Sequence, residues 1–196
     1  MDLLNVGILL AIILCLIILS WIWPPDSPWA PWWRTRSGVA RVAFKLAKVG
    51  KKDIVYELGS GEATALIIAA QEFGAKGVGI EIEPFRFLLS KFTVWQKGLN
   101  KQITLKRGNF FDENLSEATV IFVYLVPKTL NRLIPKFRKE LKKGTRIISY
   151  KYEMNLPLKK EDVKKYEKFL YNFSNNYNCF WRTSPRASII TIAKSF

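Results

Sequence analysis

The stretch Asp53-Ile54-Val55-Tyr56-Glu57-Leu58-Gly59-Ser60-Gly61-Glu62-Ala63-Thr64 limits this chain's fold more than any other. Its first half is a short apolar run of the kind buried on both faces of a parallel sheet. A bend with two glycines follows, then a helical pattern, Ala65-Leu66-Ile67-Ile68-Ala69-Ala70. Glycines let the backbone pass close to a ligand, and a helix start presents N–H groups with no partner inside the helix. Strand, bend and helix start together make a nucleotide-type binding corner in an α/β sheet.

The residues of the bend narrow the ligand. A dinucleotide site wants a third glycine three residues after the second, and that position is Thr64. No Gly-Lys-Ser/Thr follows, so the bend is not a phosphate-cradling loop. Glu57 lies two residues before the first glycine, at the strand's carboxyl end. A carboxylate there repels a pyrophosphate and attracts an ammonium or sulfonium. About twenty residues on, at the usual spacing for a ribose-binding acid, Gly77-Val78-Gly79-Ile80-Glu81-Ile82-Glu83 reads as a second strand ending in acid. Glu81 is placed to accept hydrogen bonds from both ribose hydroxyls. An amino acid bearing a cation and joined to a ribose describes S-adenosylmethionine.

Glu57-x-Gly59-x-Gly61 followed by Gly79-Ile80-Glu81 resembles the motifs of class I S-adenosylmethionine-dependent methyltransferases. The resemblance implies a Rossmann-like α/β fold: a mostly parallel, seven-stranded-type sheet with helices on both faces. A nicotinamide-dependent oxidoreductase is the rival enzyme, and Thr64 argues against it. An anchored binding module with an inactive cofactor site is the rival outside catalysis, and the intact glycines and acids argue against that.

The 196-residue chain fits one domain plus an appendage. It has no histidine, which removes the usual neutral-pH base and the commonest metal ligand. Its cysteines, Cys15 and Cys179, are too few for a metal cluster, and Cys15 sits inside an apolar segment, so a reducing compartment is expected.

From Leu3 to Pro25 there is no charged residue. A helix spanning the ~30 Å hydrocarbon core needs about 20 apolar residues. The start carries Asp2 and no Lys or Arg, and Trp21-Ile22-Trp23-Pro24-Pro25 makes a poor cleavage site, so an uncleaved anchor is favoured over a signal peptide. Trp21, Trp23, Trp29, Trp32 and Trp33 read as an interfacial belt. Every basic residue lies at Arg34 or beyond, which places the main domain on the cytoplasmic side with the N-terminus outside, or on the matrix side of a mitochondrial membrane. The expected division is a transmembrane anchor over 1–25, a Pro/Trp-rich juxtamembrane linker over 26–36 and the enzyme domain over 37–196. Beyond residue 33 the chain carries 31 basic and 14 acidic residues. Beside an anchor that excess suits anionic lipid or a solvated surface better than nucleic acid.

The rest follows strand and helix in alternation. Val39, Val42, Leu46 and Val49 mark an amphipathic helix ending near Gly50. Pro84 opens a helix running to about Lys97, with Phe85, Leu88, Leu89, Phe92 and Trp95 as a stripe expected to face the core. Ile103 to Lys106, Ala118 to Leu125, Arg146 to Tyr150 and Ala187 to Ala193 read as strands. Leu130, Leu133, Ile134, Phe137 and Leu141 mark another helix, in which Pro135 must fall in the first turn or force a kink. Lys159 to Asn172 reads as a charged amphipathic helix or loop.

Val120-Ile121-Phe122-Val123-Tyr124-Leu125-Val126-Pro127, with Tyr56-Glu57-Leu58-Gly59-Ser60-Gly61 and the apolar N-terminus, resembles the membrane-anchored protein-lysine methyltransferases. Those of ATP synthase c-subunit and adenine nucleotide translocase, with short prokaryotic relatives, are the named members. The resemblance implies S-adenosylmethionine as cofactor, held by Glu57, Gly59, Ser60, Gly61, Glu81 and Ile82, with Asn109 and Phe110 at the adenine and Thr35 as a cover. It implies a protein lysine as acceptor and Tyr124, at the tip of the fourth strand, as the residue orienting the amine. Methylation of a lipid or small molecule stays open. For Asn109 and Phe110 an Asn turn with packed aromatics is an equal reading, and for Tyr124 a ring closing the core edge is nearly so.

Overall fold

The computed structural model describes residues 2–22, 34–152, 163–165 and 187–191. Helix α1 covers Leu3–Ile22 and α2 Ser37–Leu46; strand β1 covers Ile54–Leu58, α3 Thr64–Phe73, β2 Lys76–Glu81, α4 Pro84–Gln96, β3 Ile103–Arg107, β4 Val120–Val123, α5 Pro127–Glu140, β5 Arg146–Tyr150, β6 Val163–Lys165 and β7 Ala187–Thr191. The strands form one sheet in the order β3-β2-β1-β4-β5-β7-β6. β1 to β5 are parallel, while β7 runs antiparallel to both β5 and β6. Strand order reverses between β1 and β4, so a crevice opens at their carboxyl ends, where open α/β sheets bind ligands.

Apolar side chains alternate between two layers because successive strand residues point to opposite faces. Val55, Val120, Phe122 and Ile148 meet α2, α3 and the Val94 side of α4. Tyr56, Leu58, Ile80, Ile121, Val123 and Ile147 meet Leu130, Leu133 and Phe137 of α5. Burial on both faces explains why the central strands read as continuous apolar runs. Phe44 of α2 packs edge-on against Phe73 and Phe122, at ring separations of 5.9 and 5.6 Å, and so ties α2 to α3 and the sheet. At the end of the sheet away from the crevice, Asp53 joins the strands. It ion-pairs with Arg146 and accepts from Thr119 Oγ1 (2.7 Å) and the Gly50 N–H (2.8 Å).

Three expectations change. Phe85, Leu88, Leu89, Phe92 and Trp95 do not enter the core: they are exposed, and α4 buries Ser90 and Val94 instead. Pro135 sits in the interior of α5, whose first turn starts at Pro127. That first turn is where proline is tolerated best, so the earlier proline took it. Within the segment read as a helix or loop, Val163–Lys165 form β6. Helix α1 carries no charge and its described large side chains are exposed, yet among the described residues no helix is long and apolar enough to cross a membrane. The expected anchor therefore rests on the sequence. The proline-rich linker and the tryptophans from 23 to 33 lie outside the described residues, as do residues 153–162 and 166–186.

Candidate active site

The site grows from the bend between β1 and α3. Gly59 and Gly61 take φ of +75° and +51°, the left-handed region that only glycine enters freely. Ala63, just before α3, also has φ +58°, a conformation that costs an L-residue roughly 1–2 kcal/mol. Such strain persists where the surroundings fix the backbone for another reason. The N–H groups of Gly59 and Ser60 both donate to Ile80 O, at 2.9 and 3.0 Å, and Ala63 N–H donates to Ser60 O at 2.7 Å. The bend is thus fastened to the end of β2. Gly79 permits this closeness, since a Cβ there would stand 2.8 Å from Ser60 Oγ and from Leu66 Cδ1.

Glu57 and Glu81 share the α3 face of the sheet, because Glu57 registers with Gly79 and Glu81 lies two residues farther along. Glu81 Oε2 accepts the Gly61 N–H at 2.7 Å and its Oε1 accepts the Glu83 N–H at 3.0 Å. Glu83 caps α4, accepting from Phe85 and Arg86 N–H groups at 2.8 and 2.7 Å. Glu57 is 5% exposed, and its Oε2 has no hydrogen-bond partner among the described residues; nor does the buried Ser60 Oγ. Burial pushes the Glu57 carboxyl up to about 8; the Leu66 N–H at the start of α3 opposes that rise, and the Glu81 charge adds to it.

A pocket in front of the bend opens to solvent. It is lined by Glu57 to Glu62 and Thr64 from the bend, by Arg34 and Thr35 ahead of α2, and by Tyr124 after β4. Arg34 ion-pairs with Glu62. Tyr124 follows the last residue of β4, half-buried, its ring 4.7 Å from that of Tyr150 at 72°. Burial pushes its phenol up to about 12, with Tyr150 and Tyr152 adding and Arg36 opposing. The hydroxyl therefore stays protonated across the physiological range.

Of the residues singled out in the sequence, Glu57, Gly59, Ser60, Gly61, Thr35 and Tyr124 line this pocket. Glu81 adjoins the bend through its hydrogen bond to Gly61, and Ile82 follows it in the chain. Asn109 and Phe110 follow β3 and do not line it; Asn109 Oδ1 accepts Phe111 N–H at 3.0 Å, and Phe110 packs 4.9 Å from Phe111 against the α5 layer. The Gly108 N–H donates to Glu81 O at 3.0 Å, so that loop adjoins the acid. Sequence reasoning missed Arg34 and Glu62. Their pairing across 28 positions follows no period, and only the place of Glu62 beside the glycines hinted at it.

The unpartnered Glu57 and Ser60 atoms, the glycine floor and the acid at the end of β2 fit S-adenosylmethionine. Its ammonium and sulfonium would face Glu57, and its ribose the carboxylate of Glu81. The family model of the ANTKMT methyltransferase domain matches residues 57–159, which contain both acids, the glycine bend and Tyr124. A protein-lysine N-methyltransferase of Saccharolobus islandicus is 37% identical over 141 residues, covering 71% of this chain and 86% of that protein. The adenine nucleotide translocase lysine N-methyltransferase of Mus musculus is 26% identical over 54% of this chain, which spans 46% of that protein. An RNA methyltransferase from Salinibacter ruber, solved with S-adenosyl-L-homocysteine, superposes with a TM-score of 0.72 at 26% identity, covering 84% of this chain and 96% of that one. The chain belongs to the ANTKMT methyltransferase-domain family and is a class I S-adenosylmethionine-dependent methyltransferase.

Proposed function

We propose that this enzyme methylates a lysine side chain of a membrane-associated protein, and that residues 1–25 anchor it to that membrane. One observation carries the acceptor: Tyr124, which lines the pocket with its ring 4.7 Å from that of Tyr150, offers a hydroxyl and an aromatic face that suit an amine. The Saccharolobus and Mus relatives are both lysine N-methyltransferases, which supports the same acceptor. The charge-free run from Leu3 to Pro25 and the exposed apolar side chains of α1 support the anchor.

S-adenosylmethionine supplies a methyl group on a sulfonium, which leaves as a neutral thioether when an amine attacks in line. Positioning does most of the remaining work. Glu57 holds the cationic end of the cofactor. The backbone from Gly59 to Gly61 lets the methionine part approach, and Glu81 binds the ribose while keeping the bend closed. Arg34 and Thr35 cover the near side. Tyr124 keeps its proton and orients the acceptor amine by its hydroxyl or ring. A lysine ammonium has a pKa of ~10.4 and reacts only once neutral. The chain has no histidine to take that proton, and the Tyr124 phenol cannot serve as a base near neutrality.

A second reading, methylation of RNA, draws on the likeness to the Salinibacter RNA methyltransferase and on the net charge of +15. Membranes from the source cell, incubated with the full chain and methyl-labelled S-adenosylmethionine, separate the readings. Label that resists nuclease and maps to lysine by mass spectrometry supports the proposal. Label released by nuclease or extracted with lipid overturns it.

A further inference from the structure

The outward stripe of α4 is the feature that the methyltransferase reading leaves unused. Phe85, Leu88, Leu89, Phe92 and Trp95 follow a spacing of three, one, three and three, one face of a helix, and each is 38 to 63% exposed. Five large apolar side chains exposed to this degree amount to a patch on the order of 500 Å², at the upper end of what a monomer leaves to water.

Two observations say what covers it. First, α1, the charge-free helix, touches α4, so the helix that bears the stripe adjoins the segment read as the anchor. Second, from Pro84 to Phe111 the chain carries Arg86, Lys91, Lys97, Lys101, Lys106 and Arg107 and no acid. Arg86 is within 3.8 Å of Glu83, Lys106 pairs with Glu113 at 2.6 Å, and Glu62 and Glu72 lie in the groove beside Leu89 and Lys97, yet cations remain in excess along this stretch. An apolar face of Phe, Leu and Trp on a segment rich in cations complements an anionic bilayer surface, where rings enter the headgroup region and Lys or Arg meet phosphate.

We infer that α4 is a second membrane contact: its stripe lies in the interface of an anionic bilayer, with the helix axis in the membrane plane. This rests on the membrane location proposed above. In a βαβ unit the crossover helix runs antiparallel to its strands, so the strands also lie along the surface. The pocket at their carboxyl ends then opens sideways over the lipid, where a lysine at the rim of a membrane protein sits. The anchor brings the enzyme to the bilayer, and α4 sets its orientation there.

The test uses the full chain carrying Cys15→Ser and Cys179→Ser in vesicles of phosphatidylcholine and phosphatidylglycerol. An environment-sensitive label is placed at Phe92→Cys, or at Asn131→Cys on the exposed side of α5 as a control. Quenching by acyl-chain nitroxide lipid is expected to be several-fold stronger at position 92 than at 131, and to weaken when phosphatidylglycerol is omitted. Equal quenching at both positions, in a chain that survives an alkaline carbonate wash, overturns the inference and leaves the anchor standing. Strong quenching at 92 in a chain that the wash releases supports the α4 contact and removes the anchor. A Phe92→Cys disulfide-linked dimer in vesicles assigns the stripe to a second copy. A label shielded from both lipid and aqueous quenchers assigns it to another segment of the same chain. Either of these last two results overturns the inference.

Discussion

Glu81 Oε2 accepts the backbone N–H of Gly61 at 2.7 Å, so the carboxylate expected at the ribose also holds the glycine bend closed. The two duties separate by substitution. Glu81→Gln keeps an acceptor oxygen for Gly61 and loses the second acceptor and the charge. Glu81→Ala loses everything. A hydrogen bond to a charged group is worth about 1.5–3 kcal/mol, or roughly ten- to a hundredfold in affinity. Calorimetric titration with S-adenosylmethionine is expected to show that loss in Glu81→Gln with little change in Tm. Glu81→Ala is expected to bind at least as weakly and to melt several degrees lower. Wild-type affinity in Glu81→Ala would remove this residue from the site.

If Glu57 holds the cationic end of the cofactor, binding depends on pH. Its folded carboxyl is raised from 4.5 to about 8, so between those values the folded, cofactor-free protein holds a proton that the unfolded chain has released. This group's effect on stability is most favourable below pH 4.5, worsens as pH rises toward 8 and is constant above. A bound cation favours the carboxylate, so binding below pH 8 expels a proton. Affinity should rise with pH by at most about tenfold per unit and level off above 8. Titrations in buffers of different ionisation heat should count up to one proton released at neutral pH. Glu57→Gln should release none, bind weakly at every pH and, without cofactor, outlast the wild type in thermal melts above pH 8.

Gly79 tests how tightly the bend is packed. An added methyl group would lie 2.7 Å from Leu105 Cδ2 and 2.8 Å from Leu66 Cδ1 and Ser60 Oγ, all on elements that form the pocket floor or adjoin it. Overpacking of this kind costs about 1–3 kcal/mol. Gly79→Ala should therefore lower Tm by several degrees and weaken cofactor binding through Ser60. Gly50→Ala, with nothing within 4 Å of the new methyl, should change neither. Equal melting of the two variants would show that the contact between α3 and β2 yields freely.

The strands and the two acids were legible in sequence for one reason. Residues buried on both faces leave an unbroken apolar run, and the acid ending each run falls at the carboxyl edge, where the sheet opens. Side-chain parity then puts Glu57 and Glu81 on one face without further information. The direction of the α4 stripe was not legible. Periodicity shows that Phe85, Leu88, Leu89, Phe92 and Trp95 share a face, but it cannot say whether protein or another apolar medium meets it. The inward face turned out to be Ser90 and Val94. β6 was hidden because Val163-Lys164-Lys165 is short, mostly charged and paired only with β7. Asn109 Oδ1 closes a local turn onto Phe111, a use compatible with an amide nitrogen that donates to a base.

Tyr124 is the residue whose role kinetics can define most sharply. Its phenol stands near 12, held up by burial first and by Tyr150 next, so it cannot become a phenolate in the working range. If the hydroxyl orients the amine, Tyr124→Phe keeps the ring against Tyr150 and the wall of the pocket but loses the hydrogen bond. Cofactor affinity should then be unchanged, while kcat falls by about ten- to a hundredfold, the worth of one well-placed hydrogen bond in the transition state. The pH profile separates orientation from proton abstraction. Because the acceptor amine must be neutral, kcat/KM should climb with pH toward ~10 in wild type and variant alike, with the same slope. A limb that vanishes in Tyr124→Phe would mean that the phenol itself takes the proton. An unchanged kcat would reduce Tyr124 to a ring that closes the edge of the core.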